Sequence, residues 1–256
     1  MKLIALPALK DNYIWMLHDG QHAIVVDPGD GAPVLHALES KQLKLVGILV
    51  THHHPDHTAG IPSLRPVLQG PVWGPARETI PGPYTAVGEG DGFELLGQVW
   101  NVLDIPGHTA GHVAYFSESD TVGEPIVFCG DTLFSAGCGR LFEGTPAQMH
   151  RSLQRLAGLP SNTRVCCGHE YTLANLAFAQ AVEPHNPDVA QHLEWCKRTR
   201  EQEAPTLPSS IGRELKINPF LRVHVAGVID QALQHGAPNR ESAQVFAALR
   251  QWKNTF

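Results

Sequence analysis

The chain has 256 residues, 43% of them hydrophobic and 17% charged, with a formal net charge of -6. That apolar share supports a sizeable core and excludes a disordered chain. The acidic balance argues against a nucleic-acid partner, which needs basic surface to neutralise phosphate. No segment approaches the roughly 18 consecutive apolar residues of a membrane span, so no membrane partner is expected.

The opening stretch MKLIALPALKDNYIW is apolar only until Lys10, Asp11 and Asn12, and reads as a first strand rather than a signal peptide. Short runs rich in Val, Ile and Leu follow: HAIVVDPGD, LKLVGILVTHHH, VWNVLDIPGHTAGH, EPIVFCGDT and TRVCCGHE. Each is short enough for a buried strand and ends at a Gly, Pro or polar cluster. Beyond the ends stand Asp27, His52, His108, Asp131 and His169. One histidine at a strand end means little. Asp or His at each of these ends is a pattern, and strand-end loops are where α/β proteins usually carry chemistry. Helices are expected between the strands. GAPVLHALESK and TPAQMHRSLQRLAG have apolar spacing near three and four, with Thr145 capping the second and Pro146 in its first turn. From residue 172 onward, LANLAFAQAV, DVAQHLEWCKRTREQEA and NRESAQVFAALRQWKN read as helices, and strand-like runs nearly vanish. A boundary is placed near Gly168 to Tyr171, giving residues 1–169 and a helical domain of residues 170–256.

Cysteine usage is uninformative about metal. The five cysteines are odd in number and form no C-x-x-C pair, so neither a disulfide framework nor a cysteine zinc site is expected, and a cytoplasmic location is. The histidines are different: four of the 15 fall within THHHPDH, residues 51–57. On extended backbone, side chains alternate faces, which sets His52 and His54 on one side and His53 on the other. Pro55 then bends the chain, so Asp56 and His57 can converge with the first pair. A lone histidine at a strand end is more often a packed or exposed side chain than a ligand. An H-x-H-x-D-H run after an apolar strand is far more often a metal site. His112, four residues after His108, reads as a residue behind the ligands or a structural one rather than a ligand, and Glu170, beside His169, as structural. Asp27 reads as a carboxylate that holds the histidine loop by hydrogen bonds.

THHHPDH matches the T-H-x-H-x-D-H motif of the metallo-β-lactamase superfamily. Together with DNYIW, VVDPGD, PGHTAGH, GDTLFSAGCGR, FEGT, CGHEYT and NPFLR in the same order, the chain resembles the glyoxalase II (hydroxyacylglutathione hydrolase) family over nearly its whole length. The resemblance implies an α/β fold, a four-layer αββα sandwich followed by a C-terminal α-helical domain. It implies two divalent metal ions, one held by His52, His54 and His108, the other by Asp56, His57 and His169, with Asp131 bridging both. Asp56 and Asp131 would be the carboxylates of the catalytic centre. Imidazole and carboxylate ligands without thiolate suit zinc foremost, with iron and manganese as alternatives.

Two adjacent cations lower the pKa of a shared water, and the hydroxide so formed can attack a polarised carbonyl. A thiolate, whose parent thiol has a pKa of about 8.5, leaves without a dedicated general acid. The implied reaction is hydrolysis of S-D-lactoylglutathione to D-lactate and glutathione, the second step of methylglyoxal detoxification, by a monomer. An anionic substrate calls for local positive charge. The resemblance assigns substrate contacts to Arg140, Phe142, Tyr171 and a basic pair on the last helix, Arg250 and Lys253, for which spacing alone leaves a solvated helix end equally open. Relatives often have Lys where Arg140 stands and Tyr where Phe142 stands, which bears on individual substrate contacts and not on the metal ligands. A mononuclear-iron persulfide dioxygenase, an RNA-processing nuclease and a non-catalytic metal binder share parts of the pattern. Oxygen consumption, salt-sensitive nucleic-acid binding, and metal loading without thioesterase activity would identify them respectively.

Overall fold

The computed structural model describes residues 1–118 and 123–256. Two compact units divide the chain. The first comprises Met1–Asp104, Ala110–Gly130 and Cys166–His169; the second comprises Ile105–Thr109, Asp131–Val165 and Glu170–Phe256. A boundary at 169/170 follows the change from strands to helices along the chain. The second unit joins residues 105–109 and 131–165 with the helical tail.

The first unit is built on a sheet of β1 (Lys2–Ala8), β2 (Asn12–His18), β3 (His22–Val26), β4 (Lys44–Leu49), β5 (Val72–Pro75) and β6 (Thr85–Val87), in that order. β1 to β3 pair antiparallel and β3 to β6 parallel. The opening stretch therefore supplies two strands where the sequence suggested one. The polar Lys10 and Asp11 make a hairpin turn, with Leu9 in the left-handed region at φ 52°, and the apolar run resumes in β2, which is buried throughout. α1 (Ala32–Lys41) packs Val34, Ala37 and Leu38 into the same core as Val25 and Ile48. Two single-turn helices, α2 (Pro55–Thr58) and α3 (Ile61–Leu64), follow β4.

A second sheet begins with β7 (Gly92–Leu95), β8 (Gln98–Asp104), β9 (Val113–Ser117) and β10 (Ile126–Gly130), paired antiparallel. β9 and β10 are buried along their whole length, as continuous apolar runs covered on both faces should be. β8 alternates: Gln98, Trp100 and Val102 are buried while Val99 and Asn101 face out. Trp73 of β5 stacks on Phe93 of β7 at 4.5 Å between ring centroids, and the Tyr115 hydroxyl of β9 donates to the Val50 carbonyl at 2.8 Å. The two sheets thus face each other. Burying each such large side chain contributes about 1.5–3 kcal/mol.

In the second unit a small hairpin, β11 (Leu133–Phe134) and β12 (Gly137–Cys138), precedes α4 (Pro146–Ala157). Thr145 and Gln148 form a reciprocal capping box at the start of α4. β13 (Arg164–Cys167) carries the chain through Val165 into the first unit, and its opening residues pair with β14 (Ser209–Ser210). The tail holds α5 (Thr172–Val182), α6 (Pro187–Glu201), α7 (Ile211–Ile217), α8 (Ala226–Gln234) and α9 (Ser242–Thr255). α7 and α8 escaped the sequence reading. α7 spans only seven residues, too few to show a helical period, and α8 carries Gly227 in its first turn. All five cysteines are buried thiols outside any disulfide. Among the described residues no helix is long and apolar enough to cross a membrane.

Candidate metal centre

In the first unit the loops after β3 and β4 build one another. Asp27 follows β3 directly and adopts φ 53°. Its Oδ1 accepts from the Thr51 amide at 2.7 Å and its Oδ2 from the Thr51 hydroxyl at 2.7 Å. With its proton committed to Asp27, the Thr51 oxygen is left to accept from His52 Nδ1 at 3.1 Å, which leaves the lone pair of His52 on Nε2. That Nε2 lies 3.1 Å from His54 Nδ1. Gly29 lets this packing close: a Cβ there would fall 1.8 Å from the Asp56 carbonyl oxygen. His112, fully buried, stacks on His52 at 4.6 Å and has Nδ1 3.1 Å from its neighbour's carbonyl, Val113 O.

β4 ends at Leu49, so residues 51–54 are loop rather than extended strand. The separation of faces holds nonetheless. His53 turns to Glu78, whose Oε2 lies 3.0 Å from its Nδ1 and accepts its amide at 2.6 Å.

Asp56 and His57 sit on the single turn α2. Asp56 Oδ2 lies 3.5 Å from His57 Nε2 and 3.4 Å from His169 Nε2, and the ligand atoms of all three lie within 4.8 Å of one another. The outer nitrogens are held from behind: His57 Nδ1 lies 3.1 Å from Asp27 Oδ2, and His169 Nδ1 lies 2.8 Å from Asp11 Oδ1. A histidine whose Nδ1 faces a carboxylate presents a basic Nε2, the usual arrangement of a metal-ligating imidazole. The Asn12 amide donates to Asp56 Oδ2 at 3.1 Å.

The second unit presents His108 and Asp131. His108 Nδ1 donates to the Arg140 carbonyl at 2.8 Å, which leaves Nε2 facing Asp131 Oδ2 at 3.6 Å. Gly139 permits the approach, since a Cβ there would lie 1.9 Å from the Asp131 carbonyl oxygen. Imidazole and carboxylate donors, with His52, His108 and His169 hydrogen-bonded through Nδ1, fit hard-to-borderline divalent cations.

The metallo-beta-lactamase superfamily pattern matches residues 9–169, and that of the hydroxyacylglutathione hydrolase C-terminus matches residues 170–256. A hydroxyacylglutathione hydrolase of Albidiferax ferrireducens is 56% identical over 256 residues, 100% of both chains. One of Pseudomonas aeruginosa is 52% identical over 260 residues, again 100% of both. The chain belongs to the hydroxyacylglutathione hydrolase family. Among solved structures, TTHA1623 in a di-iron-bound form is similar at a TM-score of 0.60 and 27% identity, covering 86% of this chain and 100% of that one. The fold is that of the metallo-β-lactamases with a C-terminal helical region, and the chain is a metal-dependent hydrolase that takes divalent ions in its His/Asp clusters.

For a member of this family the second unit also places the remaining sequence candidates. Arg140 is exposed, and Phe142 is 63% exposed with its ring edge-on to His108 at 5.2 Å. Tyr171 lies at the start of α5, edge-on to Phe134 at 5.2 Å. Arg250 is not the solvated helix end that spacing left open. It is 4% exposed, donates Nη1 to the Cys138 carbonyl at 2.9 Å, and lies over the Phe220 ring at 5.3 Å. Its face of α9 packs inward because Val245, Phe246 and Leu249 lie beside it in the core. Lys253, one turn on, is half-buried with Nζ 5.0 Å from the Phe178 ring centre; burial first, then the Arg250 charge, bring its pKa down to about 8.

Three supporting residues were missed in the sequence. Asp11 and Asn12 lie within the shared DNYIW stretch, yet nothing local connects Asp11 to a histidine 158 positions away. Glu78, which also accepts the Gly111 amide at 3.0 Å, sits in no recognisable pattern. Asp11→Asn is expected to weaken metal binding about 10- to 100-fold, the usual loss for a carboxylate behind a ligating histidine, read by chelator competition. His53→Ala is expected to keep full metal content while His52→Ala and His54→Ala lose it. Equal loss in all three would show that the loop, not the ligands, had been damaged.

Proposed function

We propose that this chain hydrolyses S-D-lactoylglutathione and related 2-hydroxyacylglutathione thioesters to the 2-hydroxy acid and glutathione, as the second step of methylglyoxal detoxification. The observation that carries the reading is likeness at 56% identity, covering 100% of both chains, to a hydroxyacylglutathione hydrolase. The proposed ligands are His52, His54 and His108 for one ion and Asp56, His57 and His169 for the other, with Asp131 shared. We assign zinc to both positions; the donor set also suits iron and manganese. When bound, paired divalent ions make hydroxide available near neutral pH and polarise a thioester carbonyl.

The chain's own residues supply the rest. Asp27, Asp11, Thr51 and the Arg140 carbonyl hold the imidazoles in one orientation, so no reorganisation is needed when substrate arrives. Asp56 and Asp131 contribute the negative charge that offsets two cations. Arg140, Tyr171 and Lys253 bind the glutathione moiety, with Phe142 against the acyl end and Arg250 bracing the Cys138–Arg140 segment from below. A thiolate departs unprotonated, so no general acid is required. Residues 1–169 form the catalytic domain in this reading and residues 170–256 the substrate-binding domain. One chain carries every assigned ligand and acts as a cytoplasmic monomer, its cysteines reduced.

A thioester assay and metal analysis on one purified sample test the proposal. Lactoylglutathione turnover with two ions per chain is expected. Full metal loading without thioester cleavage, or oxygen consumption with glutathione persulfide in its place, would overturn it.

A further inference from the structure

Glu214, on α7, is a buried carboxylate that the proposed chemistry does not use. It is 0% exposed, and burial pushes its carboxyl upward while its hydrogen bonds pull it down. Every acceptor position is taken. Oε1 accepts from the Ser135 hydroxyl at 3.1 Å and from the Ser209 hydroxyl; Oε2 accepts from the Ala136 amide at 2.7 Å and from Asn218 Nδ2 at 3.1 Å. Asn218 Nδ2 also reaches the carbonyls of Phe134 at 3.1 Å and Gly137 at 2.9 Å. Ser135 and Ala136 are the tip of the β11–β12 hairpin, and Ala136 is held there at φ 54°, a conformation an alanine adopts only under constraint.

The two ends of that hairpin lead to the chemistry. Asp131 lies two residues before β11, and Arg140 two residues after β12. The ends are tied together by Gly139 N donating to Thr132 O at 3.1 Å, and the Arg140 carbonyl orients His108. A four-residue hairpin ladder is too short to hold its own geometry. Its tip is fastened by α7 and its base by Arg250.

We propose that Glu214 is a positioning residue, which through the β11–β12 hairpin sets Asp131 at one end and the Arg140 carbonyl with His108 at the other. The assignment rests on the metal-dependent thioesterase reading above. The helical tail is then part of the construction of the metal centre and not only a cover for the substrate.

Glu214→Gln is the sharpest test. An amide keeps the shape but loses the charge and replaces one acceptor oxygen with a donor, which meets two donors if turned toward the Ala136 amide and Asn218, and forces both hydroxyls to reverse if turned toward Ser135 and Ser209. The metal-loaded chain is compared with Glu214→Gln and with Arg222→Ala, which removes a bidentate ion pair to Glu183 at 2.7 and 2.9 Å and a hydrogen bond to the Leu215 carbonyl of α7 at 3.0 Å but leaves every Glu214 hydrogen bond in place. Three quantities are read: melting temperature, kcat on lactoylglutathione, and the visible spectrum of the cobalt-substituted protein. Both variants are expected to melt earlier. Only Glu214→Gln is expected to lose about tenfold or more in kcat under metal saturation and to shift the cobalt spectrum. A Glu214→Gln protein that melts earlier yet keeps wild-type kcat and cobalt bands would reduce Glu214 to fold support and overturn the proposal. If Glu214→Gln does not fold, Ser209→Ala removes a single hydrogen bond, and an unchanged cobalt spectrum there has the same force. Absence of thioesterase activity in the wild type would instead sink the reading on which this rests, while leaving the spectral comparison to judge Glu214.

Discussion

Asp131→Ala is expected to abolish lactoylglutathione hydrolysis, with kcat down by about a thousandfold or more, on the order of 4 kcal/mol of transition-state stabilisation. Asp131 follows β10 directly, is 7% exposed, and turns Oδ2 toward His108 Nε2 at 3.6 Å. Its place at the end of a fully buried strand gives it little freedom. A carboxylate between two cations lowers their mutual repulsion, so its removal should also lower metal content at both positions. Asp131→Asn separates the two effects: the side chain keeps its size, loses its charge, and should lose activity nearly as far. Elemental analysis together with turnover decides the matter. A variant with two ions per chain and near-normal kcat would show that another group bridges them.

Arg250→Ala and Lys253→Ala should part company, although the residues are neighbours on one face of α9. Arg250 donates to the Cys138 carbonyl, has Nη1 3.6 Å from the Cys138 sulfur, and lies over Phe220, so truncation leaves a cavity and an unpaired carbonyl. A loss of about 3 kcal/mol follows from a charge-assisted hydrogen bond plus packing, or about 6–12 °C in Tm for a chain of this size. Because Cys138 leads into Arg140, KM should rise as well. Lys253→Ala should leave Tm nearly unchanged and raise KM by about tenfold at neutral pH, with kcat little altered, since the glutathione contact proposed for it would be made equally in ground and transition states.

Lys253 also sets a pH dependence. Its pKa of about 8 means that the ammonium form prevails below that pH and the neutral amine above it. Only the ammonium attracts a carboxylate, so KM should climb as pH rises through about 8, and Lys253→Ala should abolish that climb. A wild-type KM that stays flat from about pH 7 to 9, or an identical climb in Lys253→Ala, would remove Lys253 from the substrate site.

Five candidate site residues were legible because each lies just past a short apolar run, a signal that depends on nearest neighbours alone. Asp27, His52, His108, Asp131 and His169 all stand in loops beyond β3, β4, β8, β10 and β13. The cap of α4 was legible for the same reason, since Thr145 and Gln148 are three residues apart. The opening hairpin was not, because the Lys10–Asp11 turn looks like any polar strand end until β2 pairs back on β1.

The sequence by itself determined which residue types stand at the strand ends and that the final third is helical. Those properties reside in composition and in spacing of a few residues. Tertiary structure decided what the side chains meet. Helical spacing puts Arg250 and Lys253 on one face, but whether that face meets water or the Cys138 carbonyl depends on where α9 packs. Asp11 meets His169 across 158 positions, and Glu214 meets Ala136 across 78, because buried polar groups must find partners and the fold offers them only from distant segments. No local pattern records such a pairing.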